Sequence, residues 1–239
     1  MARNGYLWGQ DMSSTAMSVE VDCTVRFYQA SIGKKAVMAV TGCVLFGYVL
    51  AHLLGNLQVY LGRGQINRYA ELLHSHPALL WAARIVLLAV VGLHIVTAIL
   101  LWLLKRKTRP VDYLRKDRVP PGYASRTMLW TGPLIGAYVL YHVLHLTVGS
   151  IGLPFQPLDA YDNIVGGFRI PVVSGAYIAA MVVLSLHLYH GLWSMFQTLG
   201  VSHPRYTPLI KRFAAGLAVL VSASFISIPV AVLAGFIRN

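Results

Sequence analysis

The chain has 239 residues, of which 56% are hydrophobic and only 12% charged, with a mean hydropathy of +0.61. A soluble domain carries about 25% charged residues, so a water-soluble globular fold of this size is excluded. Lys and Arg number 20 against 8 Asp and Glu, a net charge of +12; the basic residues dominate because acids are scarce, which argues against nucleic acid as the partner.

Residues 1–33 read as a polar cytoplasmic arm with a short interfacial helix over 19–30, and 34–239 as a transmembrane domain. No apolar run begins before residue 36, so no signal peptide is expected. A hydrocarbon core of about 30 Å needs about 20 apolar residues in a helix. Five stretches meet that need: 36–60, 79–104, 128–149, 171–199 and 213–237, and none holds an Asp or Glu. Backbone groups in lipid must pair within their own segment, so these are helices. The expected fold is an all-α membrane protein, five transmembrane helices in a bundle. Pro171 suits the first turn of the fourth helix. Pro133 lies one turn into the third, and Pro229 is expected to kink the fifth. Cys23 and Cys43 offer no disulfide framework, and Cys43 reads as a small packing residue.

The connections are asymmetric in charge. The arm with the adjoining Lys34 and Lys35, the loop 105–127 and the loop 200–212 hold 15 basic residues, and the other side holds five: Arg63, Arg68, Arg84, Arg169 and Arg238. Positive residues stay on the cytoplasmic side, which predicts an inside N-terminus and an outside C-terminus. The eight basic residues of loop 105–127 suit anionic lipid or a docked subunit.

Histidines stand at membrane depth on four helices: His52, His94, His142 with His145, and His187 with His190. Ionisable residues within spans are functional-site candidates by default. His52 lies 17 residues beyond Lys35 and His142 lies 16 beyond Arg126, both in the outer half. His94 lies 11 residues before Lys105 and His187 lies 10 before Gln197, both in the inner half. Depth therefore pairs His52 with His142 and His94 with His187. His145 and His190, three residues further on, share roughly the same faces and remain alternatives by one turn.

Two imidazoles facing each other at one depth in an apolar bundle suit axial ligation of haem iron. No Cys-x-x-Cys-His is present, which implies non-covalent, b-type haem. A tetrahedral zinc site would need three or four convergent ligands. Thr41-Gly42 and Thr131-Gly132 stand at the same distance before His52 and His142, an echo read as close helix or macrocycle approach on two helices sharing one haem.

The chain resembles the five-helix, di-haem cytochrome b membrane anchor of succinate dehydrogenase and fumarate reductase, over about residues 30–237. The local match is strongest at His187-Leu188-Tyr189-His190-Gly191-Leu192-Trp193-Ser194 with Thr198-Leu199-Gly200, then Thr131-Gly132 with His142-Val143, Leu50-Ala51-His52-Leu53, and Gly92-Leu93-His94. The resemblance implies His187 over His190 and His142 over His145 as ligands, two haem b, and quinone, with a lean to menaquinone, as substrate. It also implies a flavoprotein subunit with FAD and an iron–sulfur subunit as partners, in a prokaryotic cytoplasmic membrane. The chain would then be a non-flavin subunit of a succinate:quinone oxidoreductase, carrying out quinone reduction or quinol oxidation only. Some fumarate reductase anchors carry a glutamate where this chain has Ser185, which leaves a glutamate proton path there in doubt.

Haem propionates need cations or hydrogen bonds. Arg169 and Arg84 are the candidates outside, Arg126 and Lys35 inside. A quinone head group needs hydrogen-bonding groups near a haem edge; Ser31, Lys34, Trp130 and His203 are candidates inside, and Glu71, His74 and His76 outside. Competing readings are a di-haem quinol-reacting subunit of another respiratory oxidoreductase and a haem-free transporter.

Overall fold

A computed structural model describes residues 30–108, 123–152 and 154–238, and their side chains except those of 108 and 123–126. Among the described residues every regular element is helical. In chain order these are α1 (Ser31–Asn56), a 3-10 extension (Leu57–Leu61), α2 (Arg63–His74), α3 (Pro77–Thr108), α4 (Tyr123–Val143), a π-helical turn (Leu144–Val148), α5 (Ala160–Phe168), α6 (Pro171–Thr198) and α7 (Thr207–Leu233). The expected helix over 19–30 and most of the basic loop 105–127 lie outside the described residues.

Among the described residues, four helical stretches are long and apolar enough to cross a membrane: Ser31–Leu61, Pro77–Lys107, Pro171–Thr198 and Thr207–Leu233. The chain is thus a multi-pass membrane protein by the length and composition of its helices. The expected third span forms a helix, α4, but α4 is not among the four. Its 21 residues include Ser125, Arg126, Thr127, Thr131, Gly132, Pro133 and His142, which dilute its apolar content. Pro171 occupies the first turn of α6, where its missing N–H costs nothing. Pro133 and Pro229 stand inside α4 and α7.

The outward faces of the long helices carry large apolar side chains, including Leu88, Val172 and Leu220. α6 is the central helix: it packs against α1, α4 and α7, while α3 packs against α1. One buried cluster joins Leu53, Leu188, Ala218 and Val221 of α1, α6 and α7. A larger one lies at the far end of the bundle and gathers Val59, Ile66, Ile164, Val165, Phe168, Tyr177, Ile228 and Val232.

That end is covered by two short helices that the hydropathy pattern did not separate from loops. α2 and α5 cross each other and are joined by polar contacts. Asp159 caps α5 by accepting the Asp162 backbone N–H at 3.1 Å. Asn67 donates to Asp159 at 2.9 Å and accepts the Tyr161 backbone N–H at 3.0 Å. Arg63 pairs with Asp159 at 3.1 Å and also with Asp162. The opposite end carries Lys34, Lys35, Lys105, Arg106, Lys107, Lys211 and Arg212. There Arg106 lies 4.3 Å over the Trp102 ring and Lys211 lies 4.5 Å over Trp193. The molecule therefore has a capped end and a basic end.

Candidate functional site

Side-chain contacts between helices fix their relative depth. Thr41 Oγ1 lies 2.9 Å from His94 Nδ1, which sets α1 against α3. Thr131 Oγ1 lies 3.3 Å from His187 Nδ1, which sets α4 against α6. These four residues form one level, nearer the basic end. Eleven residues further along α1 and α4 come His52 and His142, a rise of about 16 Å at 1.5 Å per residue.

At this second level the His52 and His142 rings meet edge to face, with centroids 5.6 Å apart and planes at 86°. The antiparallel helices supply the rest of it. The Tyr177 hydroxyl of α6 lies 3.3 Å from His142 Nδ1. Arg84 of α3, ten residues before His94, reaches this depth by helical rise, and Tyr48 of α1 stacks on His52 at 5.6 Å. Each of the four helices thus contributes one residue to each level: Thr41 and His52, His94 and Arg84, Thr131 and His142, His187 and Tyr177.

At the second level the His52 and His142 rings are in direct contact. At the first level His94 and His187 are each held by a threonine of the neighbouring helix. The helices whose histidines face each other, α1 with α4 and α3 with α6, are not packed backbone to backbone along their length. The imidazoles reach across the space between them. Among the described residues no three His, Cys, Asp or Glu converge on one point, so a tetrahedral metal site is not formed from these groups. Two facing neutral imidazoles are instead the donor set a flat macrocycle takes.

The hydrogen bonds behind the rings differ between levels. At the first level Thr41 and Thr131, buried at 4% exposure each, back the Nδ1 atoms. Metal-ligating histidines characteristically have the second ring nitrogen held in this way, which fixes the tautomer and ring orientation. At the second level Tyr177 backs His142, while His52 Nε2 accepts from the Asn56 side-chain amide at 3.2 Å. His52 is the one of the four whose Nε2 is already engaged, so the first level fits axial ligation more closely.

His145 is not at the ring contact. It is buried on the π turn, its Nδ1 3.0 Å from the same Tyr177 hydroxyl and its ring stacked on Tyr141. Glycines 152 and 167 wrap it; a Cβ on Gly167 would stand 2.7 Å from the ring. Gly152 has φ +101°, a conformation that glycine adopts freely. His145 also borders a cavity of about 190 Å³ under α5, beside Phe155, Asp162 and Asn163.

The remaining expected residues are more scattered. Arg84 is half-buried at the second level and lies 5.1 Å over the Trp81 ring. Arg169 is exposed at the α5–α6 junction, and Lys35 is exposed in the first turn of α1. Arg126 is in the first turn of α4, its side chain outside the description. At the basic end Ser31 and Trp130 are exposed, Lys34 is half-buried, and His203 is exposed and accepts the Arg205 backbone N–H at 3.2 Å. At the capped end Glu71, His74 and His76 are all exposed on or just after α2.

Sequence reasoning missed the backing groups. The Thr-Gly echo was read as an aid to the helices sharing His52 and His142. Its threonines instead hold the other pair, His94 and His187, because those histidines descend on antiparallel helices to the depth of Thr41 and Thr131.

No known protein family, curated protein or solved structure matches this chain.

Proposed function

We propose that this chain is the quinone-reacting, di-haem cytochrome b membrane anchor of a succinate:quinone oxidoreductase. The observation that carries the reading is the two-level set of histidines, His52 and His142 in ring contact and His94 and His187 one level away, with three of the four Nδ1 atoms backed by hydroxyls. In this reading five helices cross the membrane, α4 included, with the basic end cytoplasmic and the capped end outside. Histidines 52 and 142 would hold one haem, and histidines 94 and 187 the other.

Haem would supply one-electron transfer, and one haem at each histidine level would carry electrons through much of the membrane. The chain's own residues do the rest. The paired imidazoles hold the macrocycles, and the hydroxyls orient the imidazoles. Apolar helix faces exclude water, and Arg84 brings a cation to the second level, where a propionate would need one. The basic end, with its lysines and arginines on α1, α3 and α7, suits docking of an iron–sulfur subunit that in turn binds a flavoprotein. Quinone, with menaquinone favoured, would accept or donate the electrons.

The test is to express the full chain with haem available and record its absorption and its co-purifying subunits. A b-type Soret band with two reductive steps, and a flavoprotein and an iron–sulfur protein in the same complex, are expected. Absence of a Soret band sinks the haem reading. Two haems with different partner subunits would move the chain to another respiratory oxidoreductase.

A further inference from the structure

Thr41 Oγ1 has three polar neighbours: Val37 O at 2.8 Å, Met38 O at 3.2 Å and His94 Nδ1 at 2.9 Å. A hydroxyl has one proton to give. A carbonyl oxygen can only accept, so the proton belongs to the backbone of α1. Turned towards His94 instead, the hydroxyl would leave two oxygens in lone-pair contact at 2.8 Å, with no water in the bilayer to relieve them. The Thr41 oxygen is then an acceptor for His94, whose Nδ1 must carry a hydrogen. A neutral imidazole has one N–H, so its Nε2 is left with a bare lone pair.

Thr131 repeats the arrangement more loosely. Its hydroxyl reaches Met128 O at 3.4 Å and Met128 Sδ at 3.8 Å, with His187 Nδ1 at 3.3 Å. Both threonines are buried, and both belong to Thr-Gly pairs. Gly42 adds closeness on the first of them: a Cβ there would stand 3.6 Å from His94 Cε1.

We propose that Thr41 and Thr131 are positioning residues that hold His94 and His187 in the Nδ1–H tautomer, relaying the polarity of a backbone carbonyl to an Nε2 lone pair presented across the bundle. As a statement about tautomers this stands on the contacts alone; that the lone pair is an iron donor rests on the function proposed above. The two levels are then chemically unequal. Aliphatic hydroxyls tied to carbonyls back the first, and a phenol and an amide serve the second. Ligand basicity follows the acceptor behind the ring, so the two haems would differ in potential through these groups.

The experiment uses the full chain in lipid nanodiscs, with ring-15N histidine and the His94 signal assigned by its loss in His94→Gln. In the haem-free chain the Nδ1 of neutral His94 is expected to be the protonated ring nitrogen. Thr41→Val, nearly the same shape without the acceptor, should shift population to the Nε2–H form, and Thr41→Ser should restore the wild-type signal. Thr131→Val should do the same at His187, by a smaller shift. Haem-loaded protein gives the second readout: Thr41→Val should move the midpoint potential and low-spin signal of one haem only, with recovery in Thr41→Ser. An Nε2–H form in the wild type, or a tautomer population indifferent to Thr41→Val, overturns the proposal. A chain that takes up no haem yet shows the expected tautomers overturns the proposed function and leaves the positioning role intact.

Discussion

His52 and His142 touch edge to face at 5.6 Å between ring centroids, although the helices that carry them are not packed along their length. His94 and His187, on α3 and α6, lie one level away, held by Thr41 and Thr131. This geometry predicts selective losses. His52→Ala and His142→Ala should each abolish the same haem, and His94→Ala and His187→Ala the other. Reduced-minus-oxidised spectra with redox titration of membranes containing each variant would check it. A folded single variant lacking both haems, or His52→Ala and His94→Ala losing the same one, would break the pairing.

The cap over the far end makes a prediction about acid. Partial desolvation pushes the Asp159 carboxyl up, but the Asn67 hydrogen bond, the Asp162 N–H and the Arg63 charge outweigh it and hold the group below its ordinary 3.8. A depressed carboxylate stabilises the fold above its unfolded value, and that contribution disappears as pH falls through the lower folded value. The α2–α5 cap should therefore be insensitive to pH from neutrality to about 4 and loosen below that. Asp159→Ala should remove both the acid sensitivity and the helix cap, at a cost of about 1 kcal/mol. Limited proteolysis of the cap as a function of pH, in wild type and variant, reads both effects; an unchanged acid profile in Asp159→Ala would rule this account out.

Two glycines separate close packing from open space. A Cβ at Gly167 would meet the His145 ring at 2.7 Å, and a ring locked between α5 and the π turn has little room to yield. Gly167→Ala should destabilise by roughly 1–3 kcal/mol, as overpacking does. Gly175 of α6 has nothing within 4 Å of its Cβ position, so Gly175→Ala should be neutral or stabilise by up to about 1 kcal/mol through helix propensity. Thermal denaturation in detergent compares them. Equal melting temperatures for the two variants would contradict the cradle around His145.

How much of this was legible in the sequence depends on the length scale of the signal. The long helices were, because twenty apolar residues without an acid have few other uses, and the histidine levels followed from counting along antiparallel spans. α2 and α5 were not. Each is short, and their apolar residues, Ile66 on one and Ile164, Val165 and Phe168 on the other, find their place only against the ends of α6 and α7. The threonines could have been found. The same counting that sets His94 and His187 in the inner half sets Thr41 and Thr131 there too, but the count was applied to histidines alone. The polar weight of α4, in Thr131, Gly132, Pro133 and His142, is legible residue by residue and sets it apart from the four longer, more apolar helices.

The choice between His142 and His145 rests on a single proton. The Tyr177 hydroxyl is shared by the Nδ1 atoms of both, at 3.3 and 3.0 Å, and can donate to only one. If His142 donates its Nδ1–H to the phenol oxygen, its Nε2 keeps the lone pair that an iron would take. The phenol proton then goes to His145, whose own hydrogen moves to Nε2, and a protonated ring nitrogen cannot ligate. While the phenol accepts from one ring and donates to the other, the two histidines hold opposite tautomers and only one of them is an Nε2 donor. The ring contact with His52 selects His142. The expected outcome is that His145→Ala retains both haems, whereas His142→Ala loses one. Tyr177→Phe should keep both but shift the potential of the haem that His52→Ala removes, and leave the other where it was. Redox titration of the three variants decides the matter, and loss of a haem in His145→Ala with retention in His142→Ala would reverse the assignment.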